Sequence, residues 1–507
     1  MDILQDLLLG FQVALSLKNL AFCFIGVLIG TLLGVLPGIG PITGVAVLVP
    51  ITFGMNATTA IITMAGVYYG AMYGGSTTSI LINVPGESSS VVTTLDGYQM
   101  ARKGRAGPAL GMAALSSFIA GTFSVVLLTV VAPPLVKFAL AFGPPEYFAL
   151  TFMGLTLVTS LSGDSMIKCV MSGVLGLLLA CVGIDAVTGT ARFTYGEIYL
   201  LDGFGFISVA VGLFAVAEVL INLEQPAQEV YTRTKLSIRT LFPNLQDWKD
   251  SFWPIWRGSI IGFFIGVLPG GGATIASFIS YAVEKRMSKH PEKFGTGIIE
   301  GVAAPEGSNN AAAIGHFVTL LALGIPGTAT MAIMMGVFLI HGLRPGPLLF
   351  ESNPEFVWGL IASMYIGNVM LIILNMPLIG IWVSMLRVPY KILMPLIVTI
   401  SSVGIYATEN NTFDMWVMLA FGILGYFMRK FDFPAAPVVL ALVLGPMVEK
   451  SLRQSLSIAH GSVAIFFNRP ISAVLLAVSF ISLCIPLVRA ARQEFAKKRP
   501  GDGKQAP

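Results

Sequence analysis

The stretch Gly34-Val35-Leu36-Pro37-Gly38-Ile39-Gly40 returns 232 positions later as Gly266-Val267-Leu268-Pro269-Gly270-Gly271-Gly272. Each copy interrupts a long apolar run. Proline removes a helical hydrogen bond and glycine weakens the helix, so both copies predict a break. What the break means depends on its surroundings. The chain's 507 residues are 55% hydrophobic and only 11% charged, with a mean hydropathy of +0.82. A soluble domain carries about a quarter charged residues, so this composition belongs in lipid. Backbone groups freed at membrane depth are tolerated only under other protein or beside a wet cavity. Two such breaks at matching positions in two halves point to a transporter's binding site.

Working outward, the apolar runs 110–131, 147–161, 204–223, 356–385 and 471–488 approach or exceed the roughly 20 residues a helix needs to cross a bilayer. With the shorter and broken runs they give about 10–13 membrane segments, an all-α polytopic membrane protein. The longest polar stretch, 224–250, is too short to bury a core of its own. The net charge of +4 sits in loops and in the tail, which suits the positive-inside rule rather than nucleic-acid binding. Cys23, Cys169, Cys181 and Cys484 show no metal or disulfide spacing. The first residues carry Asp2 and Asp6 where a secretory signal would be basic, and Ile3, Leu4, Leu7 and Leu8 instead suggest an amphipathic start at the interface.

A polar patch follows the first break. Ser76, Thr77, Thr78 and Ser79 come after Gly74-Gly75, and Ser88, Ser89 and Ser90 after Pro85-Gly86-Glu87. Small hydroxyl residues after such pairs resemble helix N-termini, where orphan amides hold anions, although ordinary capping has the same signature. The second half repeats the pattern. Pro305-Glu306-Gly307-Ser308-Asn309-Asn310 lies 232 positions after Tyr73-Gly74-Gly75-Ser76-Thr77-Thr78, and Pro326-Gly327-Thr328-Ala329-Thr330 lies 241 after Pro85-Gly86-Glu87-Ser88-Ser89. Matched motifs in the same order predict two homologous repeats with broken or re-entrant helices. The basic segments 284–293 and 102–105 have nearly uncharged counterparts, which predicts inverted topology. The expected organisation is an N-terminal membrane repeat over 1–223, a cytoplasmic linker over 224–256, a C-terminal repeat over 257–488 and a basic cytoplasmic tail over 489–507.

If the broken segments meet at the midplane, amides and hydroxyls of Ser76, Thr77, Thr78, Ser88, Ser89, Ser308, Thr328 and Thr330, with the amides of Asn309 and Asn310, form a donor-rich volume suited to a carboxylate substrate. Carbonyls freed at Pro37, Gly38, Gly40, Pro269, Gly270 and Gly272, with Asn83 and the second breaks at Pro85, Gly86, Pro326 and Gly327, can coordinate a sodium ion. Glu87 and Glu306 either ligand a cation, carry a proton or cap a helix. Asp164 and Asp185 read as interfacial. His316 either titrates or is a structural hydrogen-bonder. There is no Walker A sequence, HExxH or GxSxG, so the chain does not read as an enzyme.

The segments GVLPGIGP, YYGAMYGGSTTSILINVPGE, DGYQMARKGRAGPAL, GVLPGGGATIASF, PEGSNNAAA and IPGTATMAI together resemble the large membrane subunit of the bacterial tripartite tricarboxylate transporter family. The resemblance covers nearly the whole chain. It implies an inner-membrane secondary transporter that takes up citrate-like or other carboxylates on a sodium or proton gradient. It also implies two partners, a small membrane subunit and a periplasmic solute-binding protein. An anion channel and a non-transporting scaffold subunit are the rival readings.

Overall fold

A computed structural model of the chain describes residues 3–36, 40–161, 165–185, 187–224, 238–385, 390–409 and 411–497. Pro37, Gly38, Asp164, most of the linker and the end of the basic tail lie outside them. The architecture is helical; the described strands are a two-residue hairpin pairing Gly183–Ile184 with Ala191–Arg192. Among the described residues, four helices are long and apolar enough to cross a membrane: Leu17–Val35, Ala106–Ala139, Phe206–Glu224 and Pro354–Asn375. Shorter apolar helices accompany them, among them Ile3–Ala14, Met166–Ala180 and Ala329–Ile340. The 356–385 run divides into Pro354–Asn375 and Ile379–Met385, with Pro377 among the residues of the break. Asp247 to Pro254, read as linker, already belong to the helix Leu245–Val267, which opens on a capping box between Asn244 and Asp247.

Two glycine-rich helix pairs build the centre. In Leu17–Val35, a methyl group on Gly26, Gly30 or Gly34 would come within 2.2–2.4 Å of the carbonyls of Thr63, Val67 and Ala71 in Ala57–Ile82. In Leu245–Val267, Gly258, Gly262 and Gly266 approach the carbonyls of Ala304, Ser308 and Ala312 in Glu300–Val318 just as closely. Such contact is how helices associate where lipid removes any hydrophobic drive. Gly30→Val is therefore expected to cost about 1–3 kcal/mol by forcing the pair apart. Thermal unfolding of the purified protein checks this, with Gly54→Ala as a neutral control because nothing lies within 4 Å of its added carbon.

The same contacts correct one sequence pairing. The first helices of the two pairs match at 232 positions, but the second helices match at 241. Ser308 thus occupies the place of Val67, and the expected pairing of Pro305-Glu306-Gly307-Ser308 with Tyr73-Gly74-Gly75-Ser76 is not the one that the packing follows. The nine additional residues fall in the basic loop around Pro291–Lys293. A short look-alike of small and polar residues outweighed the longer glycine register in the sequence.

Both pairs then break with nearly the same backbone. The first helices end at Leu36 (φ −82°, ψ 115°) and Leu268 (φ −80°, ψ 127°). The second ones end in left-handed residues, Asn83 (φ 59°, ψ 25°) and Gly324 (φ 71°, ψ 25°), residue types that tolerate that region. Glu87 and Thr328 then open the next segments at φ −147°, ψ 165° and φ −142°, ψ 166°.

Beyond the breaks the two halves interlock. Ala106–Ala139 packs on Glu300–Val318, while Pro354–Asn375 packs on Ala57–Ile82. The loops sort by charge. Lys103 Nζ donates to the Thr296 carbonyl at 2.6 Å and Arg105 pairs with Asp247 at 2.5 Å, so the basic segments of both halves share one face. Their weakly charged counterparts also meet, His341 lying against the backbone of Thr52. Asp185 sits at the turn of the small hairpin, paired with Arg453 at 3.0 Å and Arg192 at 3.4 Å. The amide of Val187, then that of Thr188 and the two guanidinium groups, hold its carboxyl down to about 2. The amphipathic N-terminal segment Ile3–Ala14 packs against Pro354–Asn375, Gly10 touching the carbonyl of Trp358, and leaves Leu4 and Leu8 exposed.

Candidate functional site

Ser76, Thr77, Thr78 and Ser79 lie inside the continuous helix Ala57–Ile82, not at a helix N-terminus as the sequence suggested. Gly74 and Gly75 do not break it because both are covered, a carbon on Gly74 falling 2.4 Å from the Thr31 carbonyl of the neighbouring helix and one on Gly75 falling 2.6 Å from Glu87 Cγ. Ser308, Asn309 and Asn310 are likewise interior to Glu300–Val318. Ser88 and Ser89, in contrast, follow the break, and Thr328 caps its helix by accepting the Met331 amide at 3.3 Å. Asn83 serves as a left-handed helix end.

The breaks are brought together. The Gly270 amide donates to the Gly327 carbonyl at 2.8 Å, so in the second half the first break is bonded to the second, with Pro269 beside Gly327. In the first half Gly40 lies beside Gly86 and Glu87, and the Gly86 amide donates to the Gly75 carbonyl at 3.3 Å. Ser88 Oγ and Thr274 Oγ1, 2.8 Å apart, join the two halves next to Gly272.

Two buried carboxylates occupy the crossing. Ser76 Oγ donates to Glu306 Oε2 at 2.5 Å, and Thr93 donates to the other oxygen. Asn309 Nδ2 donates to Glu87 Oε1 at 2.8 Å, Ser89 donates to the same oxygen, and Ser89 Oγ also lies 2.8 Å from Asn309 Oδ1. All but the Ser89–Glu87 contact cross between the halves. Glu87 is also the cap of Ser88–Ser90, its backbone amide facing Ser90 Oγ. Among the described residues neither carboxylate takes part in an ion pair. Burying an ionised carboxylate without a countercharge costs several kcal/mol, so these hydroxyl and amide donors are the compensation the buried pair has among the described residues.

The remaining candidates divide. Asn310 Nδ2 donates to Ser117 Oγ at 2.7 Å and to the Glu306 carbonyl at 3.2 Å. Thr78 turns back to the Gly75 carbonyl. Thr77 lines, with Tyr73, Ser76, Ser117 and Asn375, a cavity of about 20 Å³, room for one water. Ser308 Oγ is buried without a partner among the described residues.

Sequence reading missed Thr93, Ser117 and Thr274. Thr93 was findable, since it stands one helical turn after Ser89 and so shares its face. Ser117 and Thr274 carried no local signal. His316 Nδ1 lies 2.9 Å from the Tyr68 hydroxyl.

Against known proteins, the sequence profile of the Tripartite tricarboxylate transporter TctA family matches residues 20–440. The chain is 50% identical over 495 residues to the "Uncharacterized 52.8 kDa protein in TAR-I ttuC' 3'region" of Agrobacterium vitis, spanning 97% of this chain and 98% of that protein. It is 47% identical over 233 residues to the "Uncharacterized protein in TAR-II ttuC' 3'region" of the same organism, 46% of this chain and 96% of the relative. No solved structure matches.

Proposed function

Because the chain belongs to the tripartite tricarboxylate transporter TctA family, we propose that it is the large permease subunit of a binding-protein-dependent carrier. The carrier takes up tricarboxylates or related carboxylates across the bacterial inner membrane. The family is one of transporters, not enzymes, and the apolar helices make the chain a membrane protein. A small membrane subunit and a periplasmic solute-binding protein complete the carrier in this reading.

The observation that carries it is the pair of buried carboxylates, Glu87 and Glu306, lying where broken segments of both halves meet. A buried carboxylate without a countercharge can hold the coupling ion, as a proton or a cation, whereas a scaffold has no use for one. The matched glycine contacts and backbone breaks support two repeats. Their basic loops on one shared face support inverted topology, with that face cytoplasmic and relative movement of the halves giving alternating access.

The test is uptake of labelled citrate and other carboxylates into proteoliposomes holding this chain with its two partners, under separately imposed sodium and proton gradients. Accumulation above the external concentration under one gradient, and only with the binding protein, is expected. Equilibration without accumulation would replace the carrier with a channel, and absence of flux for every carboxylate would overturn the substrate class.

A further inference from the structure

One buried nitrogen beside the breaks is left open. His316 is 1% exposed, and its Nε2 has no hydrogen-bond partner among the described residues. Its Nδ1 faces the Tyr68 hydroxyl at 2.9 Å. Tyr68 is equally buried, and His316 is the one acceptor its hydroxyl meets among the described residues. A buried O–H without an acceptor is costly, so the phenol donates to Nδ1. That assignment places the ring proton on Nε2. The open nitrogen is therefore a donor and cannot ligand a cation; it calls for an acceptor.

The position of the ring says which acceptor. His316 Cδ2, the carbon bonded to Nε2, lies 3.9 Å from where a side-chain carbon on Gly327 would stand. Gly327 and Thr328 lead into the twelve-residue helix Ala329–Ile340, whose first-turn amides have no intrahelical partners and whose dipole favours negative charge. Thr328 Oγ1 is used in capping Met331, leaving the amides of Ala329 and Thr330 for a ligand. A carbon at Gly327 would stand in ordinary contact with the ring, with Pro269 Cα at 3.6 Å and with Thr319 Oγ1 at 3.7 Å, so the glycine leaves room for one small group beside the ring where the helix begins. On the opposite side the Gly327 carbonyl is fixed by the Gly270 amide, so the donors are held by both breaks of the second half.

We propose that His316 Nε2–H and the first-turn amides of the helix Ala329–Ile340 bind a carboxylate group of the transported anion, with Tyr68 as a positioning residue that fixes the imidazole tautomer. The inference rests on the carboxylate-uptake reading. It supplies a side-chain donor for a substrate whose expected hydroxyl ligands, Ser76 and Ser89, are engaged by Glu306 and Glu87. It also separates two tasks, the anion sitting at the second break and the neutralising cation or proton at the carboxylates.

The experiment measures KM and Vmax for labelled citrate in proteoliposomes of the complete carrier, with membrane-inserted protein quantified in each preparation. The native carrier comes first: no uptake of any carboxylate by it is the failure of the functional reading, not of this one. Given native uptake, His316→Leu is expected to raise KM about 10- to 100-fold, the factor carried by a hydrogen bond to a charged group. His316→Gln, whose side-chain amide nitrogen reaches the place of Nε2, is expected to restore most of it. Tyr68→Phe frees the tautomer and is expected to raise KM by a smaller factor with Vmax kept. A His316→Leu KM within twofold of native overturns the proposal. If that variant fails to insert, His316→Asn takes its place, because its amide reaches only the Nδ1 position; equal KM values for the Asn and Gln variants overturn the proposal as well.

Discussion

Replacing Glu306 with Gln is expected to lower gradient-driven accumulation by about 100-fold or more, to background, since in the proposed carrier this carboxylate is the group that takes up the coupling proton or cation. The side chains differ by little more than charge. Gln keeps an oxygen to accept from one of Ser76 and Thr93, and either hydroxyl can turn to accept from its amide. Packing around a residue 1% exposed is therefore preserved. What the variant lacks is an ionisable form, so it behaves as a carboxylate held permanently neutral. Exchange of labelled for unlabelled substrate across the membrane needs no net charge movement and is expected to persist. Accumulation and exchange measured on one proteoliposome preparation make the check. Undiminished accumulation would remove Glu306 from the coupling step, and loss of both activities with normal insertion would make it a substrate ligand instead.

Replacing Asp96 with Ala should be the most damaging single change to the assembly of the two halves. Asp96 is fully buried, yet its carboxylate accepts from the amides of Gly295, Gly297 and Ile298 at 2.7–3.0 Å and from the Tyr281 hydroxyl at 2.8 Å. These donors come from the far end of the basic loop and from the helix Ala273–Met287, so one first-half carboxylate fixes how the chain enters Glu300–Val318. That helix carries Glu306, Asn309 and His316. Each buried donor left unpaired costs about 1–3 kcal/mol, and several are orphaned together, so a loss on the order of 4 kcal/mol is expected. Thermal unfolding of the purified protein and the rate of tryptic cleavage at Lys289 and Lys293 would report it. Asp96→Asn keeps one acceptor and should fall between; an unchanged unfolding temperature for Asp96→Ala would show that the loop is held by other contacts.

These two residues were unequally visible in the sequence. Glu306 stood out because an ionisable residue in an apolar run is costly anywhere in a membrane. Asp96, in a polar stretch with Thr93, Thr94 and Tyr98, carries no such signal. Its partners lie some 185 to 202 positions away, beyond any local pattern. The same holds for hydroxyls. Ser89 and Thr328 were read correctly as following breaks, since Pro and Gly punctuate the chain locally. Ser76 was misplaced to a helix end because Gly74-Gly75 is a break signal only when no neighbouring helix packs on it.

The sequence alone therefore determined whatever depends on composition and on single residues. Low charge over 507 residues requires lipid as solvent, and Pro269-Gly270 and Pro85-Gly86, which remove a helical hydrogen bond and weaken the helix at adjacent positions, mark breaks that the structure shows. Tertiary structure decided register and partnership. The glycine contacts, which depend on backbones approaching until a methyl group no longer fits, set the 241-residue match of the second helices against the 232-residue look-alike. The interlocking of the halves put Ser76 and Thr93 on Glu306 and Asn309 on Glu87, because a buried carboxylate must find its hydrogen bonds wherever in the chain they can be brought within 3 Å.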